Sequence, residues 1–135
     1  MAQQVLTDVS VTVNSVDLSD HVVSVSLTTE KDQVEITAMG DGWHKFTGGL
    51  GNASLTVEFQ NDFATSSVWA TIGPLVGTTT TVVVKPTSDA VAATNPSFTI
   101  TDTFVSTAAP VDGSVGDLNT FSVDFVGGTY AEATS

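Results

Sequence analysis

Ser54-Leu55-Thr56-Val57-Glu58-Phe59 alternates polar and apolar residues without a break, and Thr120-Phe121-Ser122-Val123-Asp124-Phe125 repeats the pattern near the other end of the chain. Successive side chains of a strand point to opposite faces. Each run therefore puts three large apolar groups on one face and hydroxyls and carboxylates on the other. That is the signature of an antiparallel strand with one face on a core and one face wet. Val9, Val11 and Val13 alternate in the same way with Ser10 and Thr12, as do Val23, Val25 and Leu27 with Ser24, Ser26 and Thr28. Residues 32–37, 79–85 and 97–105 are further strand candidates. In the last, Phe98, Ile100 and Phe104 are in phase, but Asp102 occupies an apolar position, which predicts a bulge or a polar exit from the core. About seven strands predict an all-β fold, an antiparallel β-sandwich or partly open barrel. Val57, Phe59, Phe121 and Val123 are expected among its most buried side chains.

Composition agrees. The chain holds 22 Thr and 21 Val in 135 residues. Both are stiff at χ1 and suit pleated strands. The length fits a single domain over 1–135. Net charge is −12, with three Lys and no Arg. Charged residues are 13% of the chain, against roughly 25% in an ordinary domain, so it is the bases that are missing. Such a surface cannot neutralise phosphates, which argues against tight nucleic-acid binding and against anionic membranes. No cysteine is present, which excludes a disulfide framework, a thiolate metal site and a cysteine nucleophile. No run approaches the length of a membrane span, and Met1-Ala2-Gln3-Gln4 does not read as a secretory signal. Synthesis in a cytoplasm is expected.

One segment departs from period two. Ala64, Val68, Ile72 and Leu75 fall at helical spacing, Asn61 or Asp62 is available as N-cap, and Gly73-Pro74 would end the helix. A short flanking helix is predicted at about 62–72. Three loops are expected: Met39–Asn52, rich in glycine, Pro86–Pro96, and Pro110–Asp117. The termini, about 1–6 and 128–135, read as irregular.

No constellation for catalysis stands out. His21 and His44 have no companions at metal-ligand spacing, and no Gly-rich phosphate loop or nucleophile elbow is present. Asp17 and Asp20 are better explained by turn chemistry than by calcium, which wants more oxygens on one loop. Glu58, Asp102 and Asp124 sit on polar strand faces, where solvated acids are expected rather than an acid–base pair. Asn52-Ala53-Ser54 matches a glycosylation sequon that means nothing without a signal peptide. No cofactor and no metal is expected. Trp43 and Phe46 resist a plain reading, because a solvated glycine-rich loop does not call for aromatics. They either fold back as a lid on the chain's own core or anchor a protein–protein contact.

The chain resembles the tail tube (major tail) proteins of long-tailed bacteriophages, in particular those of actinobacteriophages. The resemblance is carried by Val13-Asn14-Ser15-Val16-Asp17-Leu18-Ser19-Asp20-His21-Val22 and by Ala38-Met39-Gly40-Asp41-Gly42-Trp43. It continues through Leu55-Thr56-Val57-Glu58-Phe59 with Asp62-Phe63-Ala64, and Val84-Lys85-Pro86-Thr87-Ser88 with Asn95-Pro96. It ends with Gly113-Ser114-Val115-Gly116-Asp117-Leu118 before Thr120-Phe121-Ser122-Val123. It covers most of the chain.

The resemblance implies a tail-tube fold, a β-sandwich with one flanking helix. It implies hexameric rings of this chain stacked into a hollow tube, other tail proteins at the tube ends, and DNA that passes through without specific binding. The place of action would be the virion tail, after assembly in the host cytoplasm. The long loop after the early strands would reach a neighbouring ring, which makes Trp43, His44 and Phe46 the inter-ring candidates. Glu35, Glu58, Asp102 and Asp124, on polar strand faces, are the candidates for the lumen wall; otherwise that wall is mainly Ser and Thr. Exposed strand edges, a hazard in a monomer, suit edge-to-edge assembly. Two competing readings are another phage structural part (a tube terminator or capsid decoration protein) and a carbohydrate-binding sandwich.

Overall fold

The computed structural model describes residues 8–61, 63, 67–109, 111 and 113–134. Among them eight strands form: β1 (Ser10–Val13), β2 (Val16–Asp17), β3 (Val22–Glu35), β4 (Phe46–Gln60), β5 (Thr79–Lys85), β6 (Ser97–Thr107), β7 (Thr120–Val126) and β8 (Thr129–Ala133). Every ladder is antiparallel, in the order β2-β1-β5-β6-β7-β4-β3, with β8 on β6. Val11 and Val13 of β1 nevertheless share one core with Leu55, Val57 and Phe59 of β4, four places away in that order. The sheet therefore curls over on itself as a partly open barrel, and the apolar faces read from the sequence meet inside it. Val57, Phe59, Phe121 and Val123 are buried. The Phe59 and Phe121 rings lie 5.9 Å apart.

The helix is shorter than expected. It is α1 (Val68–Ile72), with Ser67 at its N-cap and no side-chain capping bond. Asn61 is not its cap, because its N–H extends the strand pairing to Asn119 O at 2.9 Å; Asp62 and Ala64 lie outside the described residues. Val68 and Ile72 enter the core, and Trp69 meets Phe121 edge-on at 6.1 Å. At Gly73 a Cβ would stand 2.9 Å from the Trp69 ring, so glycine is what lets the indole lie against the backbone. Gly73-Pro74 then tightens the chain into a 3-10 turn ending at Leu75.

Four expectations need correction. Residues 32–37 are not a separate strand: β3 runs unbroken from Val22 to Glu35. Half of the Met39–Asn52 loop is strand, since β4 begins at Phe46 and only 36–45 connect. Val23 is exposed: a bulge between Val22 and Ser24 puts Val22 on the core in its place, while Val25 and Leu27 pack there as read. Phe104 is also exposed: Asp102 sits at φ +59°, opposite a register shift in β5, and past it Thr103 and Val105 turn inward. The irregularity expected at Asp102 is present, and it flips the rest of the strand.

The expected irregular stretch 128–135 is largely β8, paired with β6 from Thr129↔Thr101 to Ala133↔Ser97. The expected 1–6 terminus lies outside the described residues, as does Ser135. Gly127 (φ +73°) and Gly128 (φ +98°) make the kink that carries the chain from β7 to β8. A Cβ on Gly128 would approach Thr101 O to 2.6 Å, so no other residue fits there without a shift.

Candidate functional site

Two features of the sheet have no role in its own core. The first is an arm. Past Ser54, β4 loses β7 as a neighbour and continues with β3 alone as a projecting hairpin. A bulge at Asp32, between Lys31↔Gly51 and Gln33↔Gly48, brings Gly49 and Leu50 opposite a single residue. The crowded position is Gly49, where a Cβ would stand 3.1 Å from Asp32 Cβ and from Val34 Cγ2, whereas a Cβ on Gly48 or Gly51 would meet the Lys31 stem at ordinary contact distance, 3.6 and 3.9 Å. Beyond the strands, Ile36 N donates to Lys45 O (2.8 Å), and Lys45 N donates to Thr37 Oγ1 (2.8 Å). Two side-chain contacts brace the tip, His44 Nδ1 with Glu35 Oε2 (2.5 Å) and the ion pair of Lys45 Nζ with Asp41 Oδ1 (3.1 Å). The His44 contact, and then the Thr37 hydroxyl, hold the Glu35 carboxyl below the usual glutamate range. Asp41 is lowered by the Ala38 N–H and by Lys45.

The arm's apolar side chains are uncovered. Trp43 is 85% exposed, Leu50 is 81% exposed, and Val34, Ile36, Met39 and Phe46 are exposed too. Among the described residues Phe46 stacks with His44 alone, centroids 6.3 Å apart. Neither Trp43 nor Phe46 belongs to the core cluster, so the lid arrangement is not what the chain adopts.

The second feature is the wet face of β3, β4 and β7. Its cross-strand rows are Ser24–Glu58–Ser122, Ser26–Thr56–Asp124 and Thr28–Ser54–Val126. Thr56 Oγ1 donates to Asp124 Oδ1 at 3.0 Å, Thr107 Oγ1 to Asp124 Oδ2 at 3.2 Å, and Ser24 Oγ to Glu58 Oε2 at 3.4 Å. Hydroxyls thus hold both carboxylates flat against the sheet. None of the three Lys lies in these rows: Lys31 and Lys45 are on the arm, and Lys85 ends β5. Of the four acids singled out from the sequence, Glu58 and Asp124 share this face. Asp102 is at the β6 bulge, and Glu35 is in the arm.

The remaining polar candidates are local. Asp17 accepts from Ser19 N (2.9 Å) and from the Ser19 hydroxyl, which together lower its pKa, so it shapes the turn into β3. His21 Nε2 lies 3.4 Å from Ser67 Oγ, between that turn and α1. Among the described residues no group of three or more His, Cys, Asp or Glu is placed to hold a metal. No described helix is long and apolar enough to cross a membrane. Sequence reasoning missed two openings in the curl. One separates the arm base from β8, between Thr29–Lys31, Gly51–Ala53 and Gly128–Tyr130. The other is an apolar cleft among Val9, Val25, Leu27, Val84, Phe98 and Tyr130. Only the curl of the sheet creates them, and no alternation pattern encodes it.

No protein-family profile matches the sequence, and no curated protein does. Solved structures do match. A chain of the sheath/tube terminator of an extracellular contractile injection system (PVC) superposes with a TM-score of 0.73 at 13% identity, over 96% of each chain. A chain of the sheath-tube complex of such a system gives 0.70 at 10% identity, over 98% of this chain and 93% of that one. A chain of a native gene transfer agent virion gives 0.68 at 13% identity, over 98% and 99%. The likeness runs nearly end to end on both sides, and at these identities it establishes the shared fold.

Proposed function

We propose that this chain is a structural subunit of a phage-type tail tube. It forms hexameric rings that stack into a hollow conduit for DNA, in the virion tail of a long-tailed phage. Its partners are copies of itself, with other tail proteins at the tube ends. The observation that carries the proposal is the arm. It is a two-stranded extension held by one ladder, with Trp43, His44 and Phe46 at its end and its apolar side chains in water. A chain that keeps such a surface stays soluble only until it meets its partner. The matched structures are described as tube, terminator and virion assemblies, and they match over nearly the whole chain, which supports the same kind of role here. In this reading the wet face of β3, β4 and β7 lines the lumen, with Glu58 and Asp124 among its Ser and Thr. A wall with carboxylates and no base does not hold DNA phosphates. No catalytic step is part of the role.

A tube terminator is the second reading, favoured by the match to a sheath/tube terminator structure. Negative-stain microscopy of the purified protein separates the two. A tube subunit gives long hollow polymers with six-fold end views. Rings that never elongate mean a terminator. Monomers at every concentration and salt would overturn both.

A further inference from the structure

The two ends of the molecule carry the same device. At the arm tip, Ala38-Met39-Gly40-Asp41 forms a turn closed by Asp41 N donating to Ala38 O (3.1 Å), with Gly40 at φ +93°. Before β7, Ser114-Val115-Gly116-Asp117 forms another, closed by Asp117 N donating to Ser114 O (3.0 Å), with Gly116 at φ +92°. A positive φ at the third position is the type II requirement, which glycine meets without strain. The second position is the apex, and there both turns place an apolar residue: Met39 is 101% exposed and Val115 107%. Such a side chain stands in water until something covers it.

The turns lie at opposite ends of β4. One precedes its first residue, Phe46; the other sits beside its last, because Gln60 pairs with Thr120 and Asn61 N donates to Asn119 O. Fifteen residues at about 3.4 Å each separate the ends by about 50 Å. Each turn has apolar company in water, Trp43 on the arm and Phe63, Val111 and Leu118 at the other end. Residues 30–50 hold Lys31 and Lys45 against Glu30, Asp32, Glu35 and Asp41, and residues 86–135 contain no base at all, so both ends are acidic on balance.

We propose that the two ends are the halves of one contact. The Met39 turn of one copy seats against the Val115 turn, with Leu118 and Asp117, of a second copy. The proposal rests on the tube-subunit reading and supplies what the arm lands on. Two different patches at opposite ends make a heterologous contact, which repeats along an axis instead of closing. It covers both apices. Apolar burial rather than charge holds it, because copies of a chain at net charge −12 repel one another.

The absence of cysteine makes the test specific. A Met39→Cys, Val115→Cys double variant is assembled and treated with a short bis-maleimide. The expected result is a ladder of covalent multimers on a denaturing gel, while either single variant stays monomeric. Tubes without a ladder, or dimers from Met39→Cys alone, would overturn the contact and leave the tube reading standing. Failure of the unmodified protein to form tubes would sink both. If the cysteines themselves block assembly, charge exchange decides. Val115→Asp should slow polymerisation about tenfold, and adding Met39→Lys should restore the rate; no restoration overturns the contact.

Discussion

Residues 53–60 and 46–52 belong to one strand, and their surroundings are opposite. In 53–60 the backbone is paired on both sides, to β3 and to β7, and Ala53, Leu55, Val57 and Phe59 are buried under a second layer. In 46–52 the only partner is β3, three of the seven residues are glycine, and none is buried. A ladder on one side is enough to make a strand, but a core needs a layer above it. The first half of the comparison holds the fold together, and the second is free to meet a partner.

The largest effect that sharpens this contrast is a pair of truncations. Phe59→Ala should cost about 3–5 kcal/mol in denaturant unfolding. Trp43→Ala should stay within about 0.5 kcal/mol of the parent, fold, and fail to polymerise. Equal losses would place the arm in the fold instead. Glycines give a smaller version of the same test. Gly128→Ala, at φ +98° and 2.6 Å from Thr101 O, should cost about 1–3 kcal/mol. Gly48→Ala, where the added carbon meets only the Lys31 stem at 3.6 Å, should leave the melting temperature nearly unchanged.

The wet face of the paired half supplies a third test. Glu58→Lys with Asp124→Lys should leave both stability and tube formation intact. Phage carrying the pair should release DNA slowly or incompletely, as followed by dye uptake on triggering. Normal release with those side chains demonstrably in the lumen would remove charge from the conduit argument.

The smallest effect is in the arm tip. Glu35 is depressed in the folded chain, chiefly by His44. Its contribution is therefore present above the ordinary glutamate pKa and is lost as pH falls through the lower folded value. The carboxylate is exposed, so the loss should be local. Amide protection at 36–45 should fall in that acid window while 53–60 keeps its protection. The reverse order would contradict the division of the strand.

The sequence disclosed the half that alternates. The phases of 54–59 and 120–125 come out as read, because burial under a second layer is what writes period two into a strand. The arm half was invisible for the same reason. Gly48, Gly49 and Gly51 suggested a loop, yet glycine at a bulge under the Lys31 stem is compatible with pairing. Val23 was assigned to the wrong face because a bulge displaces it alone, and Phe104 because the left-handed Asp102 inverts the strand beyond it. β8 alternates too weakly to be seen alone and is recruited by the open edge of β6. For the site, Trp43 and Phe46 were conspicuous as aromatics among glycines. The matched turns at Met39 and Val115 were not, since their likeness lies in backbone angle and exposure.

The central claim is that the half of β4 paired on one side only exists to be covered by another copy. Trp43 reports on it directly once Trp69 is replaced by Phe, which leaves a single indole. In the free subunit its emission should be red-shifted and readily quenched by acrylamide, as for a side chain 85% exposed. On polymerisation the account predicts a blue shift and loss of quenching in step with tube mass. Tubes in which Trp43 stays as open to acrylamide as in the monomer would contradict it.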